Sequence, residues 1–160
     1  GFTFLRDEPK EVVNRAGPTD VFAASTYVWN YAHTMAVARA FKEAYPNCLV
    51  VLGGPHVPVK SERFFEEHSY TDVLVHYEGE VTFAEILLEA LENKSDWSKV
   101  QGVCFRDGMA SVKTPNRERM SDLDRIPSPY LTGVFDSFFE KGGLSTRYEF
   151  HATQETHRGC

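Results

Sequence analysis

Apolar runs typical of buried strands alternate with helix-like apolar periodicity along the first two-thirds of the chain. The strand-like runs cover Asp20 to Thr26, Cys48 to Leu52 and Val73 to His76, and a helix-like segment follows each of them. The continuous apolarity of "CLVVL" is typical of a strand that is covered on both faces of a parallel sheet. The alternation predicts an α/β fold, with an open, mostly parallel, Rossmann-like (flavodoxin-like) sheet.

Four helices accompany these strands in the sequence pattern. The longest, from Asn30 to Tyr45, places apolar residues at three- and four-residue steps, and Asn30 is its predicted N-cap. A short strand is also predicted at Phe2 to Leu5. The other three helices are predicted over Glu11 to Ala16, Glu62 to His68 and Val81 to Glu92.

The pattern changes after Gly102. Two short alternating strands flank Asp107-Gly108, which predicts a β-hairpin, and a polar, proline-containing connector follows. A further strand is predicted at Leu144 to Thr153. We therefore divide the chain into a partial Rossmann-like domain (1–101), a hairpin and C-terminal connector (102–143) and the start of another domain (144–160). The order of the strands leads us to expect a first strand and helix upstream of Gly1.

Charge and cysteine content narrow the classes of function. The 160 residues include 17 basic and 23 acidic ones, a net charge of −6, which argues against a nucleic-acid partner. No apolar run reaches the length of a membrane span, so we expect no membrane partner. The three cysteines, Cys48, Cys104 and Cys160, fit no disulfide framework. We therefore expect a cytoplasmic protein.

Three loops are predicted to meet where ligands bind in such folds. They are the loops from Ser25 to Asn30, from Gly53 to His56 and from Tyr77 to Glu80, and each follows a predicted parallel strand. The carboxyl ends of parallel strands lie at one edge of the sheet, which is the ligand-binding edge of open α/β folds. The sequence therefore predicts a ligand site at this edge.

The small residues of the first two loops each have a structural alternative. Gly53 and Gly54 let the backbone approach a flat ligand, or else form a tight turn that needs positive φ. The hydroxyl groups of Ser25 and Thr26 bind a ligand, or else cap the following helix. For all four residues, the structural role is the more common one in proteins.

The titratable residues near this edge give no self-contained catalytic or metal site. His56 and His76 lack a second ligand at metal-binding spacing, and Glu78 and Glu80 more often stabilise a helix N-terminus than act as an acid and a base. A GxGxxG fingerprint, a Walker loop and an HExxH motif are all absent from the sequence. The residues alone indicate a ligand-binding α/β domain.

Four segments in series resemble the N-terminal half of cobalamin-binding radical SAM proteins. They are "DVFAASTYVWNYAHTMAVARAFKEAYPNCLVVLGGPHVP", "DVLVHYEGEVTFAEILLEAL", "DLDRIPSPYL" and "ETHRGC". Their order and spacing match the family from Phe2 to Cys160. The DxHxxG motif, whose histidine binds cobalt in some cobalamin domains, is absent, but its place follows the first strand that we expect upstream.

The resemblance implies that the three loops line a cobalamin site. The Ser/Thr-containing loop and the Gly-Gly loop would lie near the nucleotide tail of cobalamin, and the acidic turn would line the same edge. The cofactor-binding residues that the resemblance implies are Ser25, Thr26, Tyr27, Val28, Trp29, Asn30, Gly53, Gly54, Pro55, His56, Tyr77, Glu78, Gly79, Glu80 and Thr82.

The resemblance also implies partners in a longer protein. Arg158-Gly159-Cys160 resembles the entrance to the CxxxCxxC motif, so Cys160 would be the first thiolate ligand of a four-iron four-sulfur cluster that binds S-adenosylmethionine. The cluster would sit in a C-terminal radical SAM barrel of the same chain, which would begin within 144–160. Cleavage of S-adenosylmethionine would give a 5′-deoxyadenosyl radical, and methylcobalamin would donate a methyl group or assist the radical step. We expect these 160 residues to be inactive alone.

Two other functions remain open from the sequence. A flavodoxin-like domain that binds flavin or a nucleotide predicts a phosphate-binding loop after the first strand, upstream of this chain. A degenerate domain of the same fold would act as a docking module and bind no cofactor. A cofactor titration distinguishes both from a cobalamin-binding domain.

Overall fold

The computed structural model describes residues 7–92, 96–108 and 110–136. The chain divides into two compact units, residues 1–119 and 120–160. The predicted strands at Phe2 to Leu5 and Leu144 to Thr153, like Cys160, lie outside the described residues. The sheet and the loops that follow its strands all belong to the first unit.

In the part of the chain that the structure describes, five strands form one mixed sheet in the order β1-β2-β3-β4-β5. Strands β1 (Val21–Ser25), β2 (Leu49–Gly53) and β3 (Val73–Val75) are parallel to one another. Strands β4 (Val103–Asp107) and β5 (Ala110–Lys113) form the predicted hairpin and extend the same sheet in antiparallel fashion. The predicted fold class, an open and mostly parallel Rossmann-like sheet, is confirmed.

The four predicted helices are present with bounds close to those expected. They are α1 (Pro9–Ala16), α2 (Tyr31–Ala44), α3 (Glu62–Glu67) and α4 (Glu80–Leu91). Short 3-10 turns also form at Trp97–Lys99 and Leu123–Arg125. No helix in the described ranges is both long enough and apolar enough to cross a membrane.

Helices cover both faces of the sheet, and this explains the continuous apolarity of β2. Val50 and Leu52 pack with α2 and α3, whereas Val51 packs on the opposite face with Ile86 of α4. Each of these side chains is almost fully buried, and burial of one such side chain contributes about 1.5–3 kcal/mol. An alternating pattern would place polar side chains on one face of β2, where the covering helices would bury them.

A polar network ties the amino-terminal ends of β2 and β3 together. The Asp72 carboxylate accepts hydrogen bonds from the Lys42 ammonium and from the Val50 N–H, each at 2.7 Å. Lys42 also donates to the Cys48 carbonyl at 2.7 Å. These bonds fix the register of the parallel strands at the end opposite to the predicted site, so the loops at the carboxyl edge are held by a rigid sheet.

Candidate functional site

The three loops that follow β1, β2 and β3 lie at one edge of the sheet, as the sequence predicts. Ser25 at the end of β1 is in register with Gly53 at the end of β2, and the neighbouring β3 is parallel to both. Adjacent strands are separated by about 4.8 Å, so the ends of β1 and β3 lie about 10 Å apart. This carboxyl edge is wide enough to present all three loops to one large, flat ligand.

Two residues of the first loop stabilise its conformation from within. The Thr26 side chain is buried, and its hydroxyl donates to the Gly53 carbonyl at 2.8 Å. The Asn30 side chain accepts a hydrogen bond from the Tyr27 N–H at 2.7 Å and donates to the Ser25 carbonyl at 3.0 Å. Asn30 is the N-cap residue of α2, as predicted, but its side chain makes no hydrogen bond to the helix N-terminus. Asn30 braces the loop instead.

The second loop packs tightly against the first at Gly54. Gly54 has φ +92°, and a Cβ atom there would lie 2.6 Å from the Thr26 carbonyl oxygen and 2.8 Å from the Thr26 nitrogen. A Cβ at Gly53 would meet Val75 at 3.6 Å, which is an ordinary contact. The structure therefore gives Gly54 a packing role within the protein, whereas Gly53 has no such requirement. Direct contact of either glycine with a ligand stays a prediction.

The first loop presents an exposed apolar surface at the carboxyl edge. Val28 is 74% exposed and Trp29 is 65% exposed, although both are large apolar residues. The Trp29 ring stacks on Tyr27, with ring centroids 4.6 Å apart and an interplanar angle of 13°. The exposed Trp29 ring, stacked on the half-buried Tyr27 of a braced loop, forms a pre-organised surface for a flat apolar ligand.

The third loop owes its shape to Tyr77, and its glycine has no unusual backbone conformation. Tyr77 has φ +61°, a left-handed conformation that is uncommon for a residue with a Cβ, and its side chain is 64% exposed. Gly79 has φ −94°, and α4 begins at Glu80 as predicted. Residues in such sparsely populated conformations are maintained by surrounding contacts, and they cluster at functional sites. The exposed Tyr77 ring adds apolar surface at the end of β3.

Some predicted site residues lie at the edge, whereas others are engaged elsewhere. Pro55 and His56 are exposed, and the His56 ring packs edge-on against Tyr31 at 4.7 Å. Thr82 is fully buried, and its hydroxyl donates to the Gln101 carbonyl at 3.2 Å. Thr82 therefore lies beneath the loops in the structure. Ser25, Glu78 and Glu80 are partly or fully exposed near the strand ends.

A segment that the sequence analysis missed, residues 116–119, also reaches this edge. The Gly102 N–H donates to the Pro115 carbonyl at 2.8 Å, and the Gly102 carbonyl accepts from the His76 N–H at 2.9 Å. These bonds continue the sheet beyond β4 and β5 and bring the residues after Pro115 beside Tyr77. The long-range pairing of the hairpin determines this position, and no local sequence motif indicates it.

Arg117 anchors this segment to α4. Its Nε donates to the Thr82 hydroxyl at 2.9 Å, and its guanidinium pairs with the Glu85 carboxylate. The Arg117 side chain is mostly buried. A cleft of about 170 Å³ opens beside it. The cleft is lined by Tyr77, Glu78, Asn116, Arg117, Glu118 and Arg119.

The buried histidine next to the edge has a structural role. His76 Nε2 lies 3.2 Å from Cys104 Sγ, and both side chains are buried. Burial lowers the pKa of His76 below its usual value, and the nearby Lys113 ammonium lowers it further. In the described residues, no group of three or more His, Cys, Asp or Glu side chains is arranged to hold a metal ion.

We expect His76 to make the fold sensitive to acid. Its folded pKa lies below its unfolded value of about 6.5, so the unfolded state binds the proton first as the pH falls. The contribution of neutral His76 to the free energy of unfolding is therefore fully present above about pH 6.5 and decreases progressively as the pH falls below that value. Urea unfolding between pH 7.5 and about 5 should show a smaller loss of stability in His76→Asn than in wild type or in His33→Asn. An unchanged pH dependence in His76→Asn would contradict this assignment.

The edge suits a large, flat cofactor with apolar faces. Cobalamin has a broad corrin ring with largely apolar faces, and the exposed rings of Trp29 and Tyr77 offer apolar surface of matching character. The metal in cobalamin is held by the corrin itself, so the lack of a protein metal cluster in the described residues does not conflict with it. The residues present at the edge therefore fit cobalamin.

Comparison with known proteins identifies relatives along the whole chain. The chain is 45% identical over 161 residues to the cobalamin-dependent radical SAM methyltransferase TokK from Streptomyces tokunonensis. It is 44% identical to a 2-(S-pantetheinyl)-carbapenam-3-carboxylate methyltransferase from Streptantibioticus cattleyicolor. Each alignment covers 98% of this chain but only 23% of the relative. The chain therefore spans about a quarter of the length of these relatives.

A solved structure and a family model agree with this fold. The apo, cobalamin-dependent S-adenosylmethionine radical enzyme OxsB superposes with a TM-score of 0.56 over 78% of this chain and 17% of that chain. The sequence identity is 18%, so this likeness shows the fold alone. The model of the B12 binding domain family matches residues 3–87, which include β1, β2, β3 and the loops that follow them. This chain belongs to the B12-binding domain family.

Proposed function

We propose that these residues form the cobalamin-binding part of a radical SAM methyltransferase. The observation that carries the proposal is the alignment of 98% of the chain, at 45% identity, with a cobalamin-dependent radical SAM methyltransferase. The exposed aromatic surface at the carboxyl edge supports it independently. The family match gives no support to the flavin or nucleotide alternative.

In this proposal the three loops bind and orient the corrin. Trp29 and Tyr77 supply apolar contact at the two ends of the edge, and the strand end at Gly53 leaves room between them. Thr26 and Asn30 keep the first loop in one conformation, which lowers the entropy cost of binding. Bound cobalamin would supply methyl-transfer chemistry, as the cofactor carries the reaction and the protein positions it.

The iron–sulfur part of the proposal concerns the longer protein. Cys160 is assigned as the first thiolate of a four-iron four-sulfur cluster, with residues 144–160 at the start of a radical SAM barrel in the same chain. Cys48 and Cys104 are buried thiols that form no disulfide with each other, and we propose a reducing cytoplasmic setting for the protein. The 160 residues alone are expected to cleave no S-adenosylmethionine.

We expect Cys160→Ala in the full-length protein to lose the cluster. Iron content after anaerobic reconstitution should fall to background, and S-adenosylmethionine cleavage should stop, because two thiolates cannot hold the cluster. The matched control is Cys48→Ala, which removes a thiol that is buried in the core away from the site. A full iron complement and normal cleavage in Cys160→Ala would contradict the assignment.

A further inference from the structure

The cleft beside Tyr77 is lined by charged and polar residues, and these determine which chemical groups of a ligand can bind in it. Its lining residues include two acidic ones, Glu78 and Glu118, and two basic ones, Arg117 and Arg119. The Asn116 amide completes the lining. Because Arg117 is already paired with Glu85, the other ionised residues of the lining are two acidic and one basic, and hydrogen-bond donors and acceptors are both present.

These lining residues disfavour an anion and favour a neutral group that both donates and accepts hydrogen bonds. A phosphate in the cleft would lie against two carboxylates, and like charges at short range are costly in a partly desolvated site. A primary carboxamide suits it better, since its NH₂ donates to carboxylates and its carbonyl accepts from guanidinium groups. Cobalamin carries carboxamide arms around the rim of its corrin ring.

We infer that residues 116–119 form a second wall of the cobalamin site and bind carboxamide arms of the corrin. The inference rests on the proposed cobalamin function and adds to it a wall from outside the three loops. Tyr77 is shared by the exposed edge and the cleft, so a corrin on the edge would bring its rim to the cleft. Arg117 acts as a positioning residue, because its bonds to Thr82 and Glu85 hold the segment in place.

The wall is attached to the sheet strongly enough to be pre-organised. Thr114 donates from its N–H to the Val103 carbonyl at 3.0 Å, and Pro115 accepts from Gly102 at 2.8 Å. The segment therefore leaves the sheet immediately before Asn116. Pre-organised polar groups lose little entropy on binding, so each hydrogen bond to a carboxamide contributes more to affinity.

The test compares cobalamin with derivatives in which one carboxamide is a carboxylate. Hydroxocobalamin and its b-, d- and e-monocarboxylic acids are titrated into the full-length protein and followed by visible absorbance. Wild type should bind at least one of the acids about tenfold more weakly than hydroxocobalamin, because a carboxylate meets Glu78 and Glu118. Glu78→Gln/Glu118→Gln should reduce this discrimination at least about threefold.

The control variant carries the same change in charge away from the edge. Glu43→Gln/Glu66→Gln alters exposed residues of α2 and α3 and should keep the wild-type discrimination. Equal binding of all four ligands by wild type, or discrimination that is unchanged in Glu78→Gln/Glu118→Gln, would overturn the inference. Absence of binding of hydroxocobalamin itself would overturn the proposed function, and the inference with it.

Discussion

Gly54→Ala lowers the free energy of unfolding by about 3 kcal/mol, because two costs coincide at this position. The left-handed conformation at φ +92° disfavours any residue with a Cβ. The new methyl group would also lie 2.6 Å from the Thr26 carbonyl oxygen, and backbone on both sides would have to move. Urea unfolding measures the effect. Because Gly54 holds the first two loops together, cobalamin affinity should fall as well.

Gly53→Ala is the matched control for Gly54→Ala. Gly53 is the adjacent residue, and its new Cβ would make only an ordinary 3.6 Å contact with Val75. We expect a change in stability below about 1 kcal/mol. If both alanine variants were equally stable, the close approach at Thr26 would not govern the geometry of the edge, and the account of these loops would be wrong.

Trp29→Ala weakens the binding of hydroxocobalamin by about tenfold or more and leaves the fold nearly unchanged. The indole is 65% exposed, so its removal costs little core packing. On the proposed edge, however, it would lie against the corrin and lose most of its exposed area on binding. Dissociation constants from visible absorbance, together with urea unfolding of the same samples, separate the two effects.

Leu88→Ala provides the comparison for Trp29→Ala. Leu88 is similarly exposed, but it lies two turns along α4, away from the loops at the carboxyl edge. Its removal should leave cobalamin affinity unchanged. Equal affinities of Trp29→Ala and wild type would show that the aromatic pair of the first loop does not contact the cofactor.

The parts of the fold that the sequence predicts are those with a strong local signal. The run from Cys48 to Leu52 is apolar at every position because β2 is covered on both faces. The periodicity of α2 follows from its single buried face. The shared edge of the three loops then follows from the parallel order of β1, β2 and β3, which strand–helix alternation predicts.

The remaining features depend on contacts between residues that are distant in the chain. Sequence cannot distinguish Gly54, which a contact with Thr26 requires, from Gly79, which has an ordinary backbone conformation. The sequence also gives no sign of the left-handed conformation of Tyr77, which lies between the buried strand β3 and helix α4. The wall at residues 116–119 reaches the edge through long-range contacts, namely the pairing of Gly102 with Pro115 and the bonds of Arg117 to Thr82 and Glu85.

The most direct test of the account is a visible-absorbance titration of the folded, full-length protein with hydroxocobalamin. We expect saturable binding with a change in the cobalamin spectrum, and this binding should be weakened in Trp29→Ala and retained in Leu88→Ala. No spectral change and no retention of cobalamin on gel filtration would contradict a cobalamin site at this edge. The domain would then keep the fold of the B12-binding family without its cofactor, as the docking-module hypothesis expects.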